Sequence, residues 1–473
     1  SGMLLKGFAT FSLLVSPAVS VFGENIAEGT CGTGVKWSLD DETLTIKGEG
    51  MMNDFENPTN SNSTLPSWNP YKKYIKHLVI EDGVTYVGDY AFYGYDKLED
   101  INFGNGVTRL GNRVFYNCKG LTQLNLPESM EQIGDKWTNY SDYGGTFYGC
   151  SGLKELTLPA HLKFIGANGF SQCTDLEKIF WNATDCEVDV TGYSTHDVFS
   201  YCPLQEVDFG KDVVSIPERA FYTNGGLTTV KTQGSIEYVG NEAFAGTKWL
   251  GNQEIGMVYI DHAAYIYKDD SAVDDPIIVT LPEGTKSLSP RAFLGNKKLV
   301  KITIPTTLDR IGRATFNGCS SLGNVVWNAD SVNITDDYYY GGSLFTSALS
   351  KIAFGDQVRY IPKLMLHNCS GLSEIKLPNS LREIGEKAFY QCDGITELVI
   401  PDGVTTIGTQ VFYGLENVQN LTVGKNAQNV DGYYMFSNCP HLKTINWNAV
   451  NANVKIVASS DCSYTTFETV HFG

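Results

Sequence analysis

The chain has 473 residues, a formal net charge of −18 at pH 7 and a pI near 4.8. Such an acidic balance argues against nucleic acid and anionic membranes as partners, because both require basic patches. The length alone would predict about three globular domains, but a repeat that begins near residue 75 replaces that expectation with one elongated domain and a cap.

The N-terminus reads as a signal peptide over residues 1–23. Met3-Leu4-Leu5-Lys6 supplies a short charged start, and Gly7 to Val21 is mostly apolar but too short to span a bilayer. Val21-Phe22-Gly23 offers a cleavage site, with Glu24 as the mature start. No small residue precedes Cys31 in Thr30-Cys31, which argues against a lipoprotein anchor. Downstream of residue 24 no run of 18 apolar residues occurs, so no membrane insertion is expected.

Residues 24–74 read as an N-terminal β cap. Trp37-Ser38-Leu39 and Leu44-Thr45-Ile46 alternate around Asp40-Asp41, a hairpin signal. A cap here covers a sheet edge that would otherwise pair with another chain. The polar stretch from Glu56 to Ser63 reads as an exposed loop.

From Ile75 to the end, residues recur at a spacing of 23: Cys150 and Cys173, Cys369 and Cys392, Phe147 and Phe170, Gly385 and Gly408. A fixed period of this size means stacked coils that cannot bury their apolar faces singly. One coil reads L-x-x-I-x-I-P-x-x-V-x-x-I-G-x-x-A-F-x-x-C-x-x, as in 372–394. The alternating start predicts a short strand that a proline ends, at Pro127, Pro159, Pro282, Pro305, Pro378 and Pro401. About 15 coils would then build one long parallel sheet, roughly 70 Å along its axis at the usual strand spacing.

The glycine after the second Ile invites a left-handed reading. However, Pro217 and Pro362 hold the same slot, and proline has negative φ. Close backbone approach is therefore the expected reason for Gly. Eight of the eleven cysteines (118, 150, 173, 202, 319, 369, 392 and 439) share one coil position, and buried free thiols are expected there. Cys31, Cys186 and Cys462 lie off that position and are the candidates for any disulfide.

A larger repeat overlies the first. Trp181-Asn182-Ala183, Trp327-Asn328-Ala329 and Trp447-Asn448-Ala449 replace the proline step, and each precedes a coil with a Phe-Gly pair: Phe209-Gly210, Phe354-Gly355, Phe472-Gly473. Duplication of a block of about five coils is the expected origin. Because the last Phe-Gly falls mid-coil, a continuation beyond residue 473 or an open final edge is expected. Insertions break the period around 137–143, 191–197 and 336–340, and most of all over 248–275, where Met257–Ile260 and Tyr265–Tyr267 read as a hairpin joined near Asp261-His262.

These residues resemble the BspA-type leucine-rich repeats of bacterial surface proteins. The I-G-x-x-A-F-x-x-C tail carries the resemblance, which extends to Gly29-Thr30-Cys31-Gly32 and Pro66-Ser67-Trp68 before the repeat. It implies a leucine-rich-repeat solenoid over 75–473 and adhesion to host or microbial macromolecules, secreted or at the cell surface. An accessory binding module of a larger glycan-processing or cell-wall protein is the alternative.

No metal, phosphate-loop, nucleophile-elbow or C-x-x-C motif is present, and the seven histidines share no coil position. No enzyme, metal or cofactor is expected, and Asp336-Asp337 reads as a solvated acidic loop. The outward strand residues, among them Asn125, Thr157, Phe180, Asp208 and Lys231, form no continuous stripe, which speaks against a groove along the whole sheet. Aromatic insertions on a rigid scaffold are the better candidates for ligand contact. These are Trp137, Tyr140, Tyr143, Tyr193, Tyr338, Tyr339, Tyr340, Tyr433 and Tyr434. The expected partner is a protein or glycan at a surface, met by a monomer.

Overall fold

A computed structural model describes residues 27–136, 144–190, 197–335, 343–452, 454, 465 and 468–473. The segment read as a signal peptide lies outside the described residues, as do the loops at 137–143, 191–196 and 336–342.

The cap is fused to the solenoid. Ala27–Gly32, Val35–Asp40 and Thr43–Gly48 pair antiparallel, with Asp41 at φ 51° in the hairpin turn. Thr43–Gly48 then pairs in parallel with His77–Ile80, setting Leu44 beside Leu78 and Ile46 beside Ile80. The cap therefore satisfies the first edge by becoming part of the sheet. Trp68 is fully buried, lies edge-on to Trp37 at 5.9 Å and stacks on Phe92 at 5.6 Å, so it seeds the core of the first coil.

The solenoid has about 16 turns of parallel sheet. In the middle of the array coils stack in register: Glu155 pairs with Lys178 and Lys178 with Glu206, and Leu158 with Trp181 and Trp181 with Phe209. A one-residue shift occurs where Ile277–Thr280 meets Leu299–Ile304. Each strand alternates buried and outward residues, as in Glu155–Leu158 and Glu397–Ile400. The proline that follows opens a turn whose carbonyl accepts an N–H three residues on, as Pro159 does from Leu162 and Pro401 from Val404. A second, two-residue strand comes next, such as Phe164–Ile165 or Glu383–Ile384, and forms its own parallel ladder. The main sheet runs in four paired stretches rather than one. One break falls at residues 121–127, in the coil lengthened by the 137–143 insertion, and one at the 248–275 insertion. The third, between Glu374–Lys376 and Glu397–Ile400, has no insertion behind it.

The A-F-x-x-C tail holds neighbouring coils in register. Its rings stack along the axis: Phe92 on Phe115 at 5.4 Å, Phe115 on Phe147 at 5.2 Å, Phe147 on Phe170 at 5.1 Å, and Phe293 on Phe316 at 5.6 Å. The cysteine has a second role besides filling space. Its thiol donates to the Phe carbonyl of the coil before: Cys118 to Phe92 at 3.3 Å, Cys150 to Phe115 at 3.1 Å, Cys319 to Phe293 at 3.1 Å. Where Asn224 replaces Cys, its amide donates to the Phe199 carbonyl instead. All ten described cysteines are buried and free, Cys31 and Cys186 included; Cys462 lies outside the described residues. Burial pushes the Cys118 and Cys369 thiols up to about 12, far from thiolate chemistry.

Left-handed residues do occur, but not at the conserved-looking Gly slot. At Gly240, Gly312 and Gly385 an added Cβ would meet backbone of the preceding coil at 2.2–2.5 Å, so close approach explains Gly there; Gly134, at φ 73°, is an exception. The left-handed positions flank the Ala-Phe pair and carry ordinary side chains: Tyr90, Arg113, Asn168, Arg219, Lys387 before it, and Asn117, Gln172, Asn368 after it. Inter-coil bonds hold them there: the Tyr90, Phe92 and Gly94 N–H groups donate to the Asn112, Val114 and Tyr116 carbonyls of the next coil.

The Trp-Asn-Ala and Phe-Gly signatures are two halves of one contact. The indole N–H of Trp181, Trp327 and Trp447 donates to the carbonyl of Ala183, Ala329 and Ala449. The intervening Asn presses against the Gly of the next coil, where a Cβ would lie 2.5–2.7 Å from the Oδ1 of Asn182, Asn328 or Asn448.

Phe147→Ala is expected to cost about 3–5 kcal/mol, because both ring neighbours lose their partner; a thermal melt showing a surface-like loss would contradict the ladder. Gly355→Ala is expected to cost about 1–3 kcal/mol by overpacking. Asn328→Ala in the same chain should relieve most of that cost, and additive losses would refute the contact.

Candidate binding groove

Strand positions that point outward are free of packing duty, and over five coils they form a groove. Its cavity of about 720 Å³ runs from Thr122, Gln123 and Asn125 across Lys154, Glu155 and Thr157 to Glu177, Lys178, Gln205, Glu206, Thr228 and Thr229. The lining is built from two successive coil positions at the start of each strand, so the 23-residue period itself aligns the side chains. Asn125, Thr157 and Lys231, read from sequence as outward, are exposed, and Phe180 is half-buried.

Ion pairs order the groove. Glu206 accepts from Lys178 at 2.9 Å and from Lys231 at 2.8 Å. Hydrogen bonds from Lys231 and Lys178 hold the Glu206 carboxyl below the usual carboxylate range. The Lys178 ammonium also sits 4.3 Å from the centre of the Phe180 ring. Amides at Gln123, Asn125 and Gln205 and hydroxyls at Thr157, Thr228 and Thr229 add donors and acceptors of both kinds. The lining is therefore polar and carries both signs of charge. Among the described residues no group of three or more metal-ligating side chains converges, and no helix is long and apolar enough to cross a membrane.

Of the aromatic residues picked from the sequence, Trp137, Tyr140, Tyr143, Tyr193, Tyr338, Tyr339 and Tyr340 lie outside the described residues. Tyr433 and Tyr434 are described: their rings meet at 4.5 Å, nearly perpendicular, and Tyr433 is 58% exposed. They are not part of the groove; they follow the second strand Asn429–Val430. The described residues that precede the three insertions, Gln132–Ile133, Glu187–Val188 and Asn333–Ile334, hold that same strand position. Other tyrosines are claimed by stacking: Tyr93 on Tyr116 at 4.8 Å, Tyr116 on Tyr148 at 4.7 Å, Tyr390 on Tyr413 at 4.4 Å. Only Asn125 and Thr157 of the groove lie at the outward position read from sequence; the rest of its lining precedes that position, so the groove was not legible there. The signal was there as Lys178 and Glu206 in one register, 28 residues apart.

Stacking also brings carboxylates together where sequence gave no pairing. Asp54, Asp89, Asn112 and Asp135 form a column in which each side chain accepts the backbone N–H of the next member: Asp89 N–H to Asp54 at 3.0 Å, Asn112 to Asp89 at 2.7 Å, Asp135 to Asn112 at 3.0 Å. Tyr86 Oη donates to Asp54 at 2.6 Å. The column is a structural cap. Burial, with the Asp54 and Asp135 charges adding, pushes the Asp89 carboxyl up to about 6, against the opposing bond from Asn112.

Comparison with known families matches BspA type Leucine rich repeat region to residues 70–184, 143–269, 277–347 and 342–466. Among solved structures, the chain is similar to a leucine-rich repeat protein from Bacteroides ovatus, at 20% identity over 90% of this chain and 98% of that one, with a TM-score of 0.32. It is also similar to a leucine rich cell surface protein from Faecalibacterium prausnitzii, at 16% identity over 96% of each chain, with a TM-score of 0.29. A third is the pneumococcal vaccine antigen PcpA, at 15% identity over 95% of this chain and all of that one, with a TM-score of 0.25. No curated protein matches.

The Asp89 carboxyl yields a pH test. Its folded value lies above the unfolded one of 3.8, so its stabilising share is full below pH 3.8 and is lost as pH rises through about 6. Asp89→Asn keeps the acceptor for Asn112 and removes the charge. It should stabilise the protein at pH 7 by on the order of 1 kcal/mol after allowance for partial exposure, with little change at pH 4. A denaturation midpoint unmoved at pH 7 would contradict this reading.

Proposed function

This chain belongs to the BspA-type leucine-rich repeat family, and from that premise we propose a secreted or cell-surface binding scaffold that adheres to host or microbial macromolecules. Repeat arrays of this kind typically bind rather than catalyse, because their concave surfaces are long, rigid and shaped by outward strand residues. The observation that carries the proposal is the polar groove of about 720 Å³ on those outward positions. Its mixed amides, hydroxyls and internally neutralised charges suit a polar protein surface or a glycan chain, and its acid-base balance is close to even. Tyr433, exposed after the second strand of its coil, offers a separate contact for a macromolecular partner.

Binding of the purified protein to arrays of glycans and of extracellular-matrix and microbial surface proteins tests this reading. Against any ligand so found, Lys178→Ala with Glu206→Ala is expected to weaken binding at least about tenfold while leaving the melting curve near wild type. Tyr433→Ser should weaken it less. A ligand bound equally well by the groove variant would remove the groove from the site.

A further inference from the structure

The insertion at 248–275 is not an ornament on the outside of the solenoid. Gly256–Ile260 and Ala263–Lys268 form an antiparallel hairpin that lies across the axis. Val258, Ile260, Ala263 and Tyr265 pack into the apolar core of the preceding coils. Met257, Tyr259, Ala264 and Tyr267 pack against the core of the following ones. The hairpin is thus a septum, and the core is divided in two at it.

The two sides are attached unequally. On the C-terminal side the septum is in the sheet: Ala263 pairs with Ser287, Ala264 with Leu288, and the Tyr267 N–H donates to the Ala292 carbonyl at 2.9 Å. On the N-terminal side the main strands stop, because Thr229–Lys231 and Ile277–Thr280 belong to different sheets. The backbone link from the hairpin to that side is His262 N–H to the Ile236 carbonyl at 2.9 Å, helped by Asp261 on Thr232 and on the Ile236 N–H. Along the tails a cavity of about 430 Å³ opens between Asn241–Ala245 and Pro290–Asn296. Side chains bridge the gap. Arg313 Nη2 donates to Glu218 Oε1 at 2.8 Å across 95 residues of sequence, Arg291 Nη1 lies 3.5 Å from Glu242 Oε1, and the Arg310 guanidinium stacks 3.6 Å from the centre of the Tyr238 ring.

We infer that the solenoid articulates at the N-terminal face of this hairpin, with the Glu218–Arg313 and Glu242–Arg291 pairs as a salt-sensitive latch. Everywhere a coil is joined to its neighbour by strand rungs, bending breaks several hydrogen bonds together. Here it stretches ion pairs that water and salt can replace, together with the His262–Ile236 backbone bond, the Asp261 bonds, the bonds of Phe244 N–H to Tyr265 Oη at 3.0 Å and of Ser287 Oγ to the Glu237 carbonyl at 2.6 Å, and the apolar contact of the septum. The inference goes beyond the binding role and does not rest on it. Its consequence is that the groove-bearing block and the following block change their relative orientation as units.

Spin-label distances measured by double electron–electron resonance test it in a Cys462→Ser background, where the buried native thiols stay unlabelled. Lys211→Cys with Lys351→Cys spans the septum; Lys119→Cys with Lys211→Cys, and Lys351→Cys with Lys443→Cys, each lie within one block. The cross-septum distribution should be broader than both within-block distributions, and should broaden further in 1 M salt and with Glu218→Gln. A cross-septum distribution as narrow as the controls under all conditions would overturn the articulation. A broad one insensitive to both salt and Glu218→Gln would overturn the latch.

Discussion

Ring-on-ring stacking of the tail phenylalanine, replaced by Leu366 in one coil, is the constraint from which the rest of the structure follows. Rings 5.1–5.7 Å apart along Phe115, Phe147, Phe170 and Phe199 require each coil to rise by about one strand spacing. That requirement fixes where the main chain must return after each turn, whether the coil has 23 residues, as from Phe147 to Phe170, or carries an insertion, as from Phe115 to Phe147. It also leaves the Phe carbonyl facing the next coil with no strand partner. The cysteine thiol three residues later in the following coil donates to that carbonyl, which accounts for Cys at this position, where every described thiol is free. The insertions at 137–143, 191–197 and 336–340 enter between the second strand and the tail, where they lengthen the coil without displacing the ring; the one at 248–275 follows a tail instead.

Much of this was legible because a repeat multiplies each weak signal. The strand with its proline stop, the cap hairpin around Asp40-Asp41, the buried thiols and the close approach at Gly240 and Gly385 all follow from residue type at a fixed position. What was not legible depends on a neighbouring coil rather than on local sequence. Tyr90, Arg113 and Lys387 adopt positive φ without the composition that normally marks it, because inter-coil hydrogen bonds outweigh a cost of about 1–2 kcal/mol per residue. Asn182 and Gly210 looked like separate signatures 28 residues apart, and only the stack shows one touching the other. The hairpin was readable as a hairpin. Its role as a septum was not, because both faces are apolar only in the sense that each meets a different core.

The same logic divides the tyrosines. A tyrosine at the tail position after Phe stacks on its equivalent one coil away, as Tyr93, Tyr116 and Tyr148 do. Such a ring has its faces covered and contributes to axial cohesion. A tyrosine after the second strand, like Tyr433, escapes that ladder and remains 58% exposed. Aromatic content alone therefore says little about recognition in this fold; coil position decides it. The outward strand positions obey the same rule in polar form, since Lys178, Glu206 and Lys231 pair with one another along the axis instead of with the core.

Axial pairing of this kind sets opposite charges beside each other in neighbouring coils of a chain that keeps a net charge of −18. Lys286 meets Asp309 and Lys425 meets Asp402, each 23 residues away, and His77 meets Asp100 at the same interval. Each exposed pair contributes little by itself. Their shared direction matters more: they connect nearest-neighbour coils and nothing further, like the ring stack and the strand rungs. Stability in such an array is a sum over adjacent interfaces. An interface without strand rungs or face-to-face ring stacking, as at the N-terminal face of the septum, where Phe244 meets Tyr265 edge-on, lowers cohesion at that place without loosening the rungs elsewhere. A long scaffold can therefore contain a compliant joint without loss of rigidity in the surfaces on either side of it.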